Sequence, residues 1–323
     1  MKYPWEVLPE KFRDRLSLFT TPEQQEAILA SFCQKKPTTF RANTLKISAD
    51  DLEQALEKFG IHSKRVDWYE DAFVLTEQPQ KLLMETDLYK RGFLYLQSLS
   101  SMIPPLVLDP QPNESILDIT AAPGSKTTQI AAMMDNTGEI IANDKSKVRL
   151  FKLRANLETL GIVNTKVLQL PGQFIWKKFP QYFEKVLVDV PCSMEGRFQC
   201  DNEKSYRDWS TAKIDFLQNQ QKFLLRSAIS STQVGGTIVY STCTLAPEEN
   251  EEVIDWILKK TNHAVALEPI AIPNLPTQPG LTTWKKKVFD KSLANTVRIY
   301  PTEIMEGFFI AKLKKVASTL NSE

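Results

Sequence analysis

The chain has 323 residues, 42% of them hydrophobic and 24% charged, with a formal net charge of +1. That balance suffices for a large core in one or two domains and excludes a wholly disordered chain. It also excludes a global basic field, so a nucleic-acid partner would have to be met by local patches. No apolar run approaches the roughly 20 residues of a membrane span, and the opening MKYPWEVLPEKFRDRL lacks the apolar centre of a signal peptide. A cytoplasmic protein with no membrane partner is expected. The four cysteines, Cys33, Cys192, Cys200 and Cys243, are too few and too scattered for a disulfide framework. With two histidines and no C-x-x-C pair, no metal is expected either.

Residues 1–34 mix Trp5, Leu8, Phe12, Leu16 and Phe19 with charges at helical spacing, and Thr21-Pro22-Glu23 is a helix start with Thr21 as N-cap. This predicts a small helical segment in which Cys33 packs as a small hydrophobe. A strand follows over 37–45, then a helix over 52–59 that Gly60 ends, then strands over 61–68 and 72–75. The β-α-β-β run predicts a ferredoxin-like (RRM-like) α+β module over 35–110, a kind of sheet that often holds RNA. Lys35, Lys36, Arg41, Lys46, Lys64 and Arg65 would give it a basic side, or an ordinary solvated surface. Residues 93–108 are apolar and read as a linker helix that stops at Pro104-Pro105, with the domain boundary near 110–113.

Strands and helices alternate over 111–323, which predicts an α/β, doubly wound Rossmann-like sheet. The strands fall at 115–119, 139–144, 165–170, 186–189, 237–243 and 307–313. Helices fall at 127–134, 146–160, 211–232 and around 253–258. The helix over 146–160 turns Val148, Leu150, Phe151, Leu153, Leu157 and Leu160 to the sheet, and the Pro-rich, basic stretch 270–293 is loop.

Two strands end alike. Val186-Leu187-Val188-Asp189 runs through Pro191 into Cys192, and Thr237 to Thr242 runs into Cys243. Loops at the carboxyl ends of parallel strands share one crevice, so the two cysteines are expected to face one pocket. A lone cysteine at a strand end usually packs in the core; a pair beside Asp189 points to thiolate nucleophile chemistry. Gly124, between a strand and a helix, lets the backbone approach a ligand, and Asp144 closes the next strand where dinucleotide folds put a ribose-binding carboxylate. A P-loop is excluded because Ser125 stands where the glycine before Lys126-Thr127 would be. A nucleoside-bearing ligand is favoured over a nucleoside triphosphate.

Four stretches carry a resemblance: Leu117-Asp118-Ile-Thr-Ala-Ala-Pro-Gly-Ser-Lys-Thr127, Asp189-Val-Pro-Cys-Ser193, Ser241-Thr-Cys-Thr-Leu-Ala-Pro-Glu-Glu-Asn250 and Gly307-Phe-Phe-Ile-Ala-Lys312. With Arg41-Ala-Asn43-Thr-Leu45 in the first module, the chain resembles the Nop/Sun family of S-adenosylmethionine-dependent RNA cytosine-5 methyltransferases over nearly its whole length. The resemblance implies that Cys243 adds to carbon 6 of a cytosine in RNA (rRNA first, tRNA second) and that Cys192 helps release the product. It implies that Asp189 holds the amino edge of the base and Lys126 lies beside it. Thr120, Ala121, Ala122, Pro123, Gly124, Ser125 and Lys126, with Asp144 and Asp189, would hold the S-adenosyl-L-methionine cofactor. The target base leaves its stack to reach such a pocket.

Two positions depart from the family pattern. Leu170-Pro171-Gly172-Gln173 lacks the acidic residue usual near the adenine, and Cys192-Ser193-Met194 replaces Cys-Ser-Gly. No further RNA-binding domain is recognisable beyond Phe309, and a monomer is expected. Two other readings stay open: a DNA cytosine-5 methyltransferase, whose Pro-Cys cysteine is the nucleophile, and an RNA-binding assembly factor on a catalytically weak methyltransferase fold.

Overall fold

The computed structural model describes residues 3–319. The outer ends of the first and last predicted segments, residues 1–2 and 320–323, lie outside the described residues.

Helices α1 (Glu10–Leu16) and α2 (Pro22–Phe32) form the first segment. Thr21 Oγ1 accepts from Gln24 N at 3.2 Å while the Gln24 side chain accepts from Thr21 N at 3.0 Å, a reciprocal cap that fixes where α2 begins. The apolar faces, Phe12, Leu16, Ile28 and Phe32, bury against Phe198 and Leu245, so this segment sits on the loops that follow the two cysteines. Cys33 corrects the expectation above: it forms a disulfide with Cys200 rather than packing free, across a sequence separation of 167. No local pattern announces a partner that distant.

The second unit has β1 (Thr39–Ala42), α3 (Ala49–Lys58), β2 (Ser63–Val66), β3 (Tyr69–Leu75), short helices α4 (Gln80–Glu85) and α5 (Asp87–Lys90), and β4 (Leu94–Leu96). All neighbours are antiparallel in the order β2-β3-β1-β4, the ferredoxin-like arrangement. Its supposed basic side is largely engaged. Arg41, only 1% exposed, donates from Nε to Gln97 Oε1 at 3.0 Å and from Nη2 to Thr128 Oγ1 at 2.8 Å. Asn43 Nδ2 donates to the carbonyls of Gly92 (2.8 Å) and Leu160 (2.9 Å). Lys46 Nζ donates to the Arg91 and Thr159 carbonyls, and Arg65 pairs with Asp50 and Glu53. The Arg-Ala-Asn run therefore locks the small sheet to the large domain. Of the six cations, Lys35, Lys46 and Lys64 stay exposed, Lys46 with its amine held by the two carbonyls.

Helix α6 (Leu99–Leu108) contains Pro104 and Pro105 rather than stopping at them. A proline removes the bond to the carbonyl four residues back. The Ser101 carbonyl that Pro105 leaves free accepts instead from Gln97 Nε2 at 3.1 Å, so the helix runs on.

The large domain holds β5 (Ser115–Asp118), α7 (Ser125–Met133), β6 (Glu139–Asn143), α8 (Lys147–Leu160), β7 (Thr165–Leu168), β8 (Phe183–Asp189), α9 (Thr211–Ser231), β9 (Thr232–Thr242) and α10 (Glu251–Lys260). Beyond them lie β10 (Val265–Glu268), β11 (Gln278–Pro279), a two-residue hairpin of β12 (Thr283–Trp284) and β13 (Lys287–Val288), then β14 (Val297–Ile299) and β15 (Phe308–Lys315). The sheet runs β11-β14-β15-β9-β8-β5-β6-β7, parallel from β9 to β7 and antiparallel where β15 joins β9, with β10 beside β15. Strand order reverses at β5, and ligand crevices open at such switch points. On α8, Leu150, Leu153, Leu157 and Leu160 are buried as expected, but Val148 and Phe151 are 72% and 62% exposed. At 100° per residue those two positions fall off the leucine face.

Gly196 N donates to the Cys243 carbonyl at 3.0 Å, and Gly307 N donates to the Gly196 carbonyl at 2.9 Å. A Cβ at Gly196 would lie 2.3 Å from the Gly307 carbonyl oxygen, which is backbone and cannot swing away. Gly196→Ala is therefore expected to lower the unfolding free energy by about 2–3 kcal/mol, read as a lower denaturant midpoint at unchanged slope.

Candidate active site

Strands β8 and β9 pair in parallel with Asp189 beside Ser241, so the loops that leave them emerge at one edge. This brings Cys192 Sγ to 3.2 Å from Cys243 Sγ. Cys192 is buried and Cys243 half-buried. The hydrogen bond to Cys243, then burial, push the Cys192 thiol well above its ordinary range. Cys192 thus keeps its proton at neutral pH, and Cys243 is the more accessible sulfur.

A buried polar network fixes both loops. Glu249 Oε2 accepts from Ser193 N at 3.0 Å and from Gln221 Nε2 at 2.7 Å, and Gln221 Nε2 also donates to the Pro191 carbonyl. The Ser193 and Thr244 hydroxyls lie 2.7 Å apart, and Thr244 Oγ1 donates to Glu195 Oε2, whose partner oxygen accepts from Trp209 Nε1. Asn250 accepts from Thr242 Oγ1 and donates to the Thr244 carbonyl. Burial raises the Glu249 carboxyl to about 8 against its donors, so at neutral pH it is mostly uncharged. Glu248 reaches the other way, accepting from Arg15 at 2.6 and 3.1 Å and so holding α1. The Pro-Glu-Glu-Asn run was the sequence signal for this network; what it could not give was the partners.

Beside the cysteines, Asp189 Oδ2 accepts from Lys126 Nζ at 2.7 Å and Asp189 Oδ1 from Ser241 Oγ at 2.8 Å. Lys126 Nζ also donates to Ser101 Oγ at 2.8 Å. Desolvation raises fully buried Asp118 to about 7, although the Thr127 hydroxyl donates to it. A cavity of about 360 Å³ opens here, lined by Thr120, Ala121, Ala122, Pro123, Ser125, Lys126 and Asp189 together with Tyr95, Arg149 and Arg197. Arg197 was not singled out from the sequence. Burial acts to lower the pKa of its guanidinium, but Glu306, whose Oε1 accepts from Arg197 Nε at 3.0 Å, holds it above its ordinary range. Gly124 is not in the lining of this cavity; at φ +108° a Cβ there would meet Leu153 Cδ1 at 2.6 Å, so α7 packs closely on α8 at this point.

Thr120 and Arg149 also line a second cavity of about 320 Å³ that takes in Asp144, Gly172 and Pro191. Asp144 Oδ1 accepts from Ser146 N at 2.9 Å. Its Oδ2 is buried without a hydrogen bond, although Arg149 Nη1 lies 2.9 Å away as an ion pair. A buried acceptor with spare capacity at a strand end fits a ribose hydroxyl. Asn143 Nδ2 donates to the Ile119 and Leu170 carbonyls and holds the two loops around it. Among the described residues, no three His, Cys, Asp or Glu side chains gather as a metal site, and no helix is long and apolar enough to cross a membrane.

The sheet order, the open crevice and the Asp144 carboxylate define a Rossmann-like methyltransferase domain, here with a cysteine pair in the loops that leave β8 and β9. Residues 105–314 match the family described as 16S rRNA methyltransferase RsmB/F, and residues 8–99 the N-terminal domain of 16S rRNA methyltransferase RsmF. The chain belongs to this RsmB/F (Nop/Sun) family of RNA cytosine-5 methyltransferases, which use S-adenosylmethionine. It is 39% identical to the tRNA (cytosine(49)-C(5))-methyltransferase of Pyrococcus abyssi, over 86% of this chain and 88% of that one. It is 37% identical to ribosomal RNA small subunit methyltransferase F of Vibrio cholerae, over 98% of this chain. The chain spans 66% of that relative's length. A methyltransferase homolog from Pyrococcus horikoshii has the same fold, with a TM-score of 0.84 at 36% identity and 95% of each chain covered.

Proposed function

We propose that the protein transfers a methyl group from S-adenosylmethionine to carbon 5 of a cytosine in RNA through a covalent Cys243–cytosine adduct. The observation that carries this reading is the pair of sulfurs 3.2 Å apart beside the Lys126–Asp189 pair. Bound along Asp144, the cofactor would supply an electrophilic methyl sulfonium. Carbon 5 of cytosine is too poor a nucleophile for it until a thiolate adds at carbon 6. Cys243 makes that bond, and the displaced electron pair moves to carbon 5. Carbon 5 would then take the methyl group as the S–CH3 bond breaks and the sulfonium leaves as a neutral thioether. Asp189, oriented by Lys126 and Ser241, holds the amino edge of the base. The hydrogen bond to Cys243 that does most to keep Cys192 protonated weakens once Cys243 is a thioether. Cys192 then ionises more easily and can take the carbon-5 proton, after which the carbon 6–sulfur bond breaks and Cys243 leaves as thiolate.

Ribosomal RNA is the first substrate, supported by the relative named for it that aligns over 98% of the chain. Transfer RNA is second, supported by the Pyrococcus abyssi relative. Bisulfite sequencing of total RNA from cells with and without the gene tests both: an rRNA cytosine that loses protection is expected, a tRNA cytosine alone would reverse the order, and no change anywhere would sink the activity. The protein is read as a cytoplasmic monomer that needs no metal.

The small sheet is read as the RNA-holding part. Lys64 and Trp68 line a cleft of about 820 Å³ between it and Tyr300 of the large domain. Lys64→Ala is expected to flatten the slope of log affinity against log salt by roughly 0.7–0.9, one phosphate contact, and Trp68→Ala to weaken RNA binding by about 1–3 kcal/mol through lost stacking. Filter binding across a salt series that gave unchanged slopes would move the RNA elsewhere.

A further inference from the structure

The cavity that Asp144 lines has a second wall of different character. Gln173 reaches it from the loop after β7, and Gln220, Phe223 and Leu224 from α9. Asp144 is the one carboxylate in that lining. Gly172 sets how closely the loop approaches α9, since a Cβ there would meet Leu224 Cδ2 at 2.7 Å. Phe223 leaves 58% of its surface in water at this rim, a large apolar ring with nothing over it. The wall therefore offers an apolar face and neutral amides.

On the cofactor reading above the purine lies against this wall, and we infer that Gln173 reads the group at carbon 6 of the purine with its side-chain amide. The inference rests on the cofactor reading above. A carboxylate can only accept a hydrogen bond, so it takes the 6-amino group of adenine and repels a 6-oxo group. An amide carries an acceptor and a donor on one freely turning end. With adenine Gln173 Oε1 accepts from the amino group; with hypoxanthine the amide turns over and Nε2 donates to the oxygen. Phe223 covers the ring face, as aromatic side chains do for bases. The site is thus built to hold a purine firmly and to discriminate poorly at carbon 6.

Calorimetry on the full chain with S-adenosylhomocysteine and S-inosylhomocysteine tests this without any turnover. The wild type is expected to bind the two within about threefold of each other. Gln173→Glu should keep S-adenosylhomocysteine within a few-fold and weaken S-inosylhomocysteine at least tenfold. Phe223→Ala should weaken both together and leave their ratio alone. Gln173 and Phe223 are exposed, so thermal melts should be unchanged. A wild-type preference of tenfold or more for the adenine compound, or the same ratio in Gln173→Glu as in wild type, overturns the inference and leaves the cofactor site standing. Failure of the wild type to bind either compound overturns the cofactor reading itself.

Discussion

Cys243→Ala is expected to lose product by at least about a thousandfold, the scale of removing a nucleophile, and to form no covalent RNA. Cys192→Ala should instead accumulate a protein–RNA adduct that survives denaturing electrophoresis. The reason lies in the order of events. On the proposed route, attack and methyl transfer need the Cys243 thiolate; release needs a base at carbon 5, and Cys192 is the sulfur 3.2 Å away. The adduct should require S-adenosylmethionine if it forms after methyl transfer. An adduct in the Cys243 variant alone would make Cys192 the nucleophile, as in the DNA enzymes. Absence of adduct in both would refute the covalent route. Each change removes one sulfur atom and leaves the Glu249, Ser193 and Thr244 bonds in place, so the fold should hold.

Asp144→Ala should weaken S-adenosylmethionine binding by at least about tenfold. A carboxylate that accepts from ribose hydroxyls makes charge-assisted bonds, each worth roughly 1.5–3 kcal/mol. The alanine also removes the acceptor for Ser146 N, which caps the start of α8. Asp144→Asn separates the two effects, because an amide oxygen can keep the cap while losing the charge. The asparagine variant should therefore melt like wild type and still bind the cofactor more weakly. Calorimetry showing wild-type affinity in both variants would remove Asp144 from the site.

The large domain was legible because its signals are local. The runs that end at Asp144, Leu170 and Asp189 met an Asp or a following Pro, and the leucines of α8 kept helical period. That two such runs ended in cysteine loops pointed to neighbouring strand ends, since parallel strands deliver their loops to one edge. What stayed hidden was long-range. Arg41 reads as a surface cation until its partners Gln97 and Thr128 are known, and these lie 56 and 87 residues away. The Cys33–Cys200 bond and the Glu249–Gln221 contact are equally silent in sequence. Strand β14 was hidden for another reason: it spans three residues after a Pro-rich stretch and is held by β15, not by its own pattern. The Pro pair misled because the carbonyl that Pro105 frees is met by a side chain outside the helix.

The Cys33–Cys200 bond closes the chain into a covalent ring. Inside the ring lie the whole small sheet, β5 to β8 and Cys192; outside it lie α9, β9 and Cys243. The two sulfurs of the site thus belong to topologically different parts of one molecule. A protease that cuts a loop within the ring opens it without releasing a fragment, whereas a cut between Cys200 and α9 severs the segment bearing Cys243 outright, leaving only packing to hold it. Closing a loop of this length also narrows the unfolded ensemble, by on the order of 5 kcal/mol in the chain-entropy account. Damage to the backbone is therefore tolerated unequally: the half that carries Cys192 has a second connection, and the half that carries Cys243 has none.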